Sequence, residues 1–211
     1  MTDRRNAQIS SRKQPRQTRS MELVAAVMEA AVQVLAAEGA QRFTMARVAE
    51  RAGVSVGSLY QYFPNKAAIL FRLQSDEWAR TAEILRGILE QRVTPPLDRL
   101  RMAVHAFIRS ECEEAGVRMA LDDAAPLYRG APEAHDALKA GAAIMQAFMR
   151  EVLPDASADQ RALAGSLVEL TIRSVGKSYS ETPCTPIEIE AFAEAMADML
   201  CAYLEGLNHV A

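Results

Sequence analysis

One glycine, placed between two short segments with apolar faces, constrains the fold of this chain more than any other feature. Gly53 supplies the left-handed conformation that ends a helix, and Ala49 before it is small enough for two crossing helices to approach closely. Ser55 is a suitable N-cap for a second helix, in which Leu59 returns an apolar side chain to the shared core. The spacing therefore predicts a helix-turn-helix over residues 48–63.

The second predicted helix turns short, uncharged or hydrogen-bonding groups outward, and these are Ser55, Val56, Gly57, Ser58, Tyr60 and Gln61. Such groups suit a helix that lies in the major groove of DNA. Tyr60, Tyr62 and Lys66 add phenolic hydroxyls and an ammonium group that can reach phosphates beside the groove. An ordinary helical hairpin has the same spacing, but these polar neighbours favour DNA binding over that alternative.

Residues 44–71, TMARVAERAGVSVGSLYQYFPNKAAILF, resemble the DNA-binding segment of the tetracycline-repressor-like (TetR) family of bacterial regulators. The resemblance covers residues 21–71, and its LYQYFPNKAAIL run is specific. It implies an all-helical homodimer that represses transcription until a small molecule releases it. Position by position, it also implies DNA contacts from Thr44, Ser55, Val56, Gly57, Tyr60, Gln61, Tyr62 and Lys66. Val56 departs from the family, in which this position is often polar. Its apolar side chain would therefore recognise a base only by contact with a thymine methyl group.

Charge is distributed unevenly along the 211 residues, whose formal net charge is -3. Residues 1–72 contain 11 lysines and arginines against 5 acidic residues, and the rest of the chain is acidic. The basic part coincides with the predicted helix-turn-helix, as electrostatic attraction to phosphates requires. We therefore expect double-stranded DNA as a partner in spite of the overall negative charge.

A hydrophobic content of 50% with few prolines and glycines predicts an all-α fold of about nine helices. We expect a disordered basic arm over 1–19, a three-helix DNA-binding domain over 20–66, and a larger helical ligand-binding and dimerisation domain over 67–211. A long helix over 65–91 would link the last two. The arm has two possible roles, and both stay open. It contacts DNA, along the phosphates or in a minor groove, or it is a solubilising tail that contributes only diffuse charge.

Helix signals divide the rest of the chain. Apolar periodicity predicts helices over 21–38, 97–114, 116–129 with a break near Pro126, 132–153 and 157–179. Thr185, Pro186 and Glu188 combine an N-cap, a first-turn proline and a glutamate three residues after the cap, so the last helix is expected to begin there.

Methionines and aromatic residues recur along the predicted body helices. Their soft or flat side chains suit an adaptable ligand cavity, although the same pattern fits plain core packing. We expect an unidentified, partly apolar small-molecule effector, with candidate contacts Met102, His105, Phe107, Met119, Tyr128, Met145, Phe148 and Met149.

The last helix has an apolar stripe wide enough to face both its own core and a second subunit. One helix-turn-helix offers few base contacts, so two heads placed about one turn of DNA apart would read a palindrome. In the TetR family the last two helices form the subunit interface, and these two resemble that arrangement. Candidate interface residues are Leu167, Leu170, Ser174, Phe192, Met196, Met199 and Tyr203.

Other function classes have little support in the sequence. It lacks common catalytic and phosphate-loop motifs, and its three histidines are scattered. Cys112, Cys184 and Cys201 lack the spacing of a zinc cluster or a disulfide framework. We therefore expect no catalytic residue, no cofactor and no metal. Because no uninterrupted apolar run of about 18 residues occurs, we expect a cytoplasmic protein without a membrane segment.

The expected function is thus transcriptional repression by a ligand-released homodimer on a palindromic operator. The alternative is a DNA-bound adaptor of the same fold that recruits a protein partner and ignores small molecules. An enclosed apolar cavity in the body would favour the repressor, whereas a filled core with an exposed apolar patch would favour the adaptor.

Overall fold

The structure is a computed structural model that describes Ile9, residues 18–129 and residues 143–210. Over this part of the chain it contains nine α-helices and no strand, which confirms the all-α prediction. The helices are α1 (Thr18–Arg42), α2 (Met45–Arg51), α3 (Val56–Tyr62), α4 (Lys66–Leu89), α5 (Pro96–Glu113), α6 (Ala115–Ala124), α7 (143–152), α8 (Ala158–Ser180) and α9 (Pro186–Val210).

The described residues form two compact units, one of Ile9, residues 18–78 and residues 116–129, and the other of residues 79–115 and 143–210. Helix α4 contributes its first part to the first unit and its remainder to the second. This division differs from the predicted boundary between residues 66 and 67, and the functional domain limits stay a prediction. Thr18 and Arg19, which were expected in the arm, are the first residues of α1.

The first unit has its own core, built around one face of α1. Val27, Ala31 and Leu35 are buried there, and Ile9 from the amino-terminal segment is buried in the same cluster. Gly39, which directly follows the helix predicted over 21–38, is a break in α1, where φ is 72° and ψ is 173°. Helix α1 contains an 18-residue stretch with a mean hydropathy of 1.6, which is long and apolar enough to cross a membrane, but its inward face is packed as in a core helix.

After α6 the chain makes a single 3-10 turn over Ala125–Leu127, so the break expected near Pro126 is confirmed. Tyr128 then packs into the first unit, where its hydroxyl donates a 3.0 Å hydrogen bond to the Leu121 carbonyl. The helix expected from Pro132 is described only from residue 143, and its predicted start lies outside the described residues.

The second unit is a separate core of α5, α7, α8, α9 and the end of α4. Gly176 on α8 permits close packing on α5, because an added Cβ would lie 2.9 Å from Ile108 Cδ1. Arg99 is completely buried in this unit. Its guanidinium donates to the Leu89 carbonyl and pairs with Glu151, so it fastens the ends of α4 and α7 to α5.

Charged side chains join α5 to α9 along the surface of the second unit. His105 Nδ1 lies 3.0 Å from Glu190 Oε2, and its Nε2 lies 2.8 Å from Glu194 Oε2. Arg101 pairs with Glu194, and Arg109 pairs with Glu190. The Arg109 guanidinium, and after it the His105 ring, holds the pKa of the Glu190 carboxyl below its ordinary value.

Side-chain caps fix where the last two helices begin. Thr185 Oγ1 accepts a 3.3 Å hydrogen bond from the Glu188 amide, and Glu188 Oε2 accepts one of 2.7 Å from the Thr185 amide, which confirms the predicted capping box. Ser157 and Gln160 form the same reciprocal pair at the start of α8.

Candidate nucleic-acid interface

Local hydrogen bonds shape the helix-turn-helix. Thr44 caps α2 by accepting a 3.3 Å bond from the Arg47 amide, and Gly53 has the expected left-handed φ of 67°. The Val54 amide donates 3.0 Å to the Ala49 carbonyl across the turn. Ser55 caps α3 by accepting a 3.0 Å bond from the Ser58 amide. The Ser55 cap and the glycine turn are therefore as predicted.

Burial on one side of α3 decides which residues face solvent. Leu59 is completely buried against Val48 and other members of the first core. On the opposite side of the helix, Val56 is 39% exposed and Tyr60 is 42% exposed, although both are large hydrophobic residues. Ser55, Gly57 and Gln61 are exposed as well, so five of the eight predicted DNA contacts occupy the start and outer side of this helix.

The other three predicted contacts differ in accessibility. Thr44 is exposed at the start of α2. Tyr62 lies three residues after Leu59 on the same face of α3, and its ring is buried in the core. Lys66 is half-buried, with Nζ 3.5 Å from the Phe43 carbonyl oxygen. Tyr62 is therefore a core residue that supports α3, which differs from the outward position expected of a phosphate contact.

A polar cleft of about 430 Å³ lies between α1 and α2 in the first unit. Arg51 Nε donates a 2.6 Å hydrogen bond to Gln33 Oε1, and Arg47 pairs with Glu38. These contacts tie the first helix of the motif to α1. No spacing in the sequence indicated them, since both arginines also fit a solvated helix face. The lining residues are Gln33, Val34, Ala37, Glu38, Arg47, Glu50 and Arg51.

The candidate ligand residues are divided between the two units. Met119 and Tyr128 belong to the first unit, and the other six belong to the second. Within the second unit, Phe148 and Met149 are buried core residues, whereas Met102 is exposed. His105 is held between two carboxylates of α9 on the surface of the unit. Phe107 is buried and Met145 is half-buried in the same unit.

The candidate dimer residues on α8 and α9 divide into exposed side chains and side chains that pack within the chain. Leu167, Leu170 and Ser174 are exposed on α8, and Met199 is exposed on α9. Met196 is instead buried in its own core, and the Phe192 ring stacks on Tyr179 at a centroid distance of 3.7 Å. Tyr203 is half-buried against that core. The apolar residues of α9 therefore pack mostly within the chain, and Met199 is the candidate interface residue of this helix that stays exposed.

Leu163 is 68% exposed on α8, but it is not among the interface residues predicted from the sequence. It precedes Leu167 by four residues, so it extends the exposed line of α8 by one helical turn. Its position in that line could have been found from the spacing of Leu163, Leu167 and Leu170 in the sequence.

Comparisons with known proteins agree with this geometry. A family model described as "Bacterial regulatory proteins, tetR family" matches residues 27–73, and one described as "Tetracyclin repressor-like, C-terminal domain" matches residues 95–207.

Two curated relatives match parts of the chain. The nucleoid occlusion factor SlmA of Vibrio campbellii is 32% identical over 104 residues, which are 48% of this chain and 52% of that protein. The fatty acid metabolism regulator protein of Bacillus subtilis is 31% identical over 68 residues, which are 32% of this chain and 35% of that protein. The matched segments thus span about half of the first relative and about a third of the second.

A solved structure has a similar fold over most of this chain. The transcriptional regulator FadR from Bacillus subtilis, in complex with stearoyl-CoA, superposes with a TM-score of 0.64 at 17% identity, covering 85% of this chain and 98% of that one. The amino-terminal family model includes the helix-turn-helix, and the carboxy-terminal model alone matches more than half of the 211 residues. The chain therefore belongs to the TetR family of transcriptional regulators.

Proposed function

We propose that the protein is a homodimeric repressor that binds a palindromic operator in double-stranded DNA and leaves it when a small molecule binds. The observation that carries the DNA-binding part is the outer side of α3. Val56, Gly57, Tyr60 and Gln61 are all exposed there, while Leu59 fixes the helix from the opposite side. A short helix held in this way can enter a major groove without rearranging.

The exposed residues divide into base readers and phosphate contacts by their chemistry. Gln61 carries both an amide donor and an acceptor, which suits recognition of an adenine edge, and Val56 offers methyl groups to a thymine methyl. Thr44 at the start of α2, with Ser55, Tyr60 and the half-buried Lys66, would contact phosphates. Tyr62 was expected among these contacts, but its burial leaves little surface for one.

The exposed apolar side of α8 supports a homodimer. Leu163 and Leu170 are 68% and 61% exposed, and Leu167 lies between them. Met199 adds an exposed apolar side chain on α9. Apolar patches of this kind on a soluble chain mark surfaces that pair with a partner. A second copy is the partner we propose, because a two-fold axis would also present two heads to a palindrome.

The effector we propose is partly apolar. One structure of the same fold holds stearoyl-CoA, so a long-chain acyl-CoA is the first probe to test. In the second unit, Phe107, Met145, Phe148 and Met149 supply aromatic and flexible side chains that can repack around an acyl chain. Met102 and His105 lie nearer the surface of that unit and would contact polar parts of the effector.

Effector and operator must be coupled through the fold. Helix α4 contributes to both units, and we propose that effector binding acts through it on the separation of the two heads. By linkage, operator DNA must weaken effector binding by the same factor by which the effector weakens DNA binding. The function is one of binding without catalysis, and we place it in the cytoplasm with the operator.

The proposal is tested by selecting duplexes from a random DNA pool with the purified full chain. We expect enrichment of a palindrome whose half-sites are spaced by about one helical turn. Stearoyl-CoA is then titrated into the complex, with free coenzyme A as the control, and release of DNA by the acylated form alone is expected. A pool that yields no enriched sequence would contradict operator binding.

The adaptor alternative draws support from the similarity to SlmA, a protein named for nucleoid occlusion and not for metabolite control. In that case the same palindrome would be selected, but no acyl-CoA or other small molecule would release it. Retention of the complex across an effector library would favour the adaptor over the repressor.

A further inference from the structure

Helices α5 and α9 run in opposite directions, and their side-chain contacts keep one register. Each contact further along α5 meets a residue further back on α9. Continued by about one turn, this register brings Cys112 on α5 to the segment just before α9, and Cys184 lies in that segment. The contacts that define the register are Cys201 with the Leu97 carbonyl at 3.6 Å, Arg101 with Asp198 at 2.6 Å, His105 with Glu194 at 2.8 Å, and Arg109 with Glu190.

Two hydrogen bonds hold the Cys184 sulfur in place. Its thiol donates to the Thr182 carbonyl at 3.1 Å. The Tyr179 hydroxyl donates to the same sulfur, which raises the pKa of Tyr179 to about 12. The Tyr179 ring is itself fixed, because it stacks on Phe192 of α9 with ring centroids 3.7 Å apart. The connector between α8 and α9 therefore presents this sulfur at a defined position.

Cys112 belongs to the same group of side chains. Burial, and after it the charge of Cys184, raises the pKa of the Cys112 thiol. Cys112 also contributes to the raised pKa of Tyr179, and the two residues pack against the same core of the second unit. Both cysteines are half-buried free thiols, so a small oxidant can reach them. Two thiols that are distant in the sequence are thus neighbours in the fold.

Cys201 has different surroundings. It is buried, and its thiol points to the Leu97 carbonyl at the opposite end of α5. Burial raises its pKa, and the charge of Arg101 lowers it. Cys201 is therefore a natural control for the other two thiols.

We propose that Cys112 and Cys184 form a modification site, a dithiol that a peroxide oxidises to an intramolecular disulfide. One thiolate attacks a peroxide oxygen, the O–O bond breaks, and the sulfur becomes a sulfenic acid. The second thiolate then attacks that sulfur, forms the S–S bond and releases water. Two thiols and one hydrogen peroxide thus give one disulfide and two water molecules, and two electrons pass from sulfur to oxygen.

The bond would join the connector between α8 and α9 to the end of α5. In a reducing compartment such a disulfide is transient and reports on oxidants, because cellular thiols return it to the dithiol. The inference does not rest on the proposed function, since oxidation is measured without DNA or effector.

The test treats the reduced full chain with hydrogen peroxide and counts free thiols in denaturant. The chain has three cysteines, so we expect one thiol to remain and the mass to fall by about 2 Da, the loss of two hydrogens. Dithiothreitol should restore all of the thiols. Proteolysis of the oxidised wild type should yield a peptide pair joined through Cys112 and Cys184, a readout that needs no variant. Closing this long loop should raise Tm by roughly 5–10 °C.

Three variants assign the cross-link. Cys112→Ser and Cys184→Ser should each prevent it, whereas Cys201→Ser should keep it and leave no free thiol.

Four results would overturn the inference. Persistence of three thiols would show that the pair does not oxidise, and gains of oxygen mass without a cross-link would show that each thiol oxidises alone. A cross-link between two chains, or one that Cys201→Ser abolishes, would assign the bond to another pair. A Tm that falls on oxidation would show that the bond forms only in a distorted fold.

Discussion

The Ser58 amide donates a 3.0 Å hydrogen bond to the Ser55 hydroxyl, and the hydroxyl oxygens of the two residues lie 2.8 Å apart. This pair starts α3 at a fixed residue, immediately before Val56. Because the outer side of α3 is the proposed DNA-reading surface, the cap sets the position of the residues that would enter the groove.

Replacing Ser55 with alanine should therefore affect both stability and DNA binding. Loss of the cap costs about 1 kcal/mol, which lowers Tm by roughly 2–4 °C in a chain of this size. Operator affinity should fall as well, measured by fluorescence anisotropy. Ser157→Ala is the matched control, because it removes the serine cap of α8, far along the chain from α3. Equal losses of DNA affinity in the two variants would contradict a local role for Ser55.

Gln61 and Lys66 should have separable effects on DNA. Gln61→Ala is expected to relax the preference at particular base pairs, at about 1–3 kcal/mol per position, because it removes a hydrogen-bonding edge from the groove. Lys66→Ala should weaken binding to all sequences by a similar factor and reduce the slope of affinity against salt. Competition among single-base variants of the operator measures both. A uniform loss for Gln61→Ala would refute its assignment to base reading.

Leu170 should contribute to the subunit interface. Leu170→Glu places a charge in the exposed apolar line of α8, so we expect the dimer to dissociate and operator binding to fall steeply. Light scattering after gel filtration gives the mass directly. Val93→Glu is the control, since Val93 is a fully exposed apolar residue in the turn before α5. A Leu170→Glu variant that remains a dimer would move the interface elsewhere.

Acid should weaken the contact between α5 and α9 in a way that depends on Glu190. Its pKa is lowered in the folded state, chiefly by Arg109, so the stabilisation is present above the ordinary value of 4.5 and is lost as pH falls through the lower folded value. The difference in Tm between the wild type and Glu190→Gln should thus shrink between pH 7 and pH 3. Glu205→Gln, on the same helix, controls for the loss of a negative charge. A constant difference across that range would contradict the prediction.

Much of the fold could be predicted because its signals are local. Gly53, Ser55 and the Thr185 cap each act through a hydrogen bond or a backbone angle within a few residues, and the structure shows each of them. A serine followed three residues later by Gln160 is a signal of the same kind, and it marks the start of α8 at Ser157.

Contacts between distant residues could not be predicted in the same way. Arg99 fits the polar side of an amphipathic helix in the sequence, yet it is completely buried because a carbonyl of α4 and a carboxylate of α7 meet its guanidinium. Tyr62 was predicted to contact DNA and Met196 to contact a second subunit, and both roles require an exposed side chain. In the structure Tyr62 is buried in the same core as Leu59, and Met196 is buried in the core that α9 shares with α5. Ile9 stands within a polar segment, so no periodic pattern indicated its burial.

The central claim is that two copies of α3 read one operator. Footprinting of the wild-type protein on the DNA upstream of its own coding region, repeated across a salt series, tests it most directly. We predict a protected palindrome whose affinity falls on the order of a thousandfold or more between 50 and 200 mM salt, as release of counterions from six or more phosphates requires. Protection without two symmetric half-sites, or an affinity that is insensitive to salt, would contradict the account.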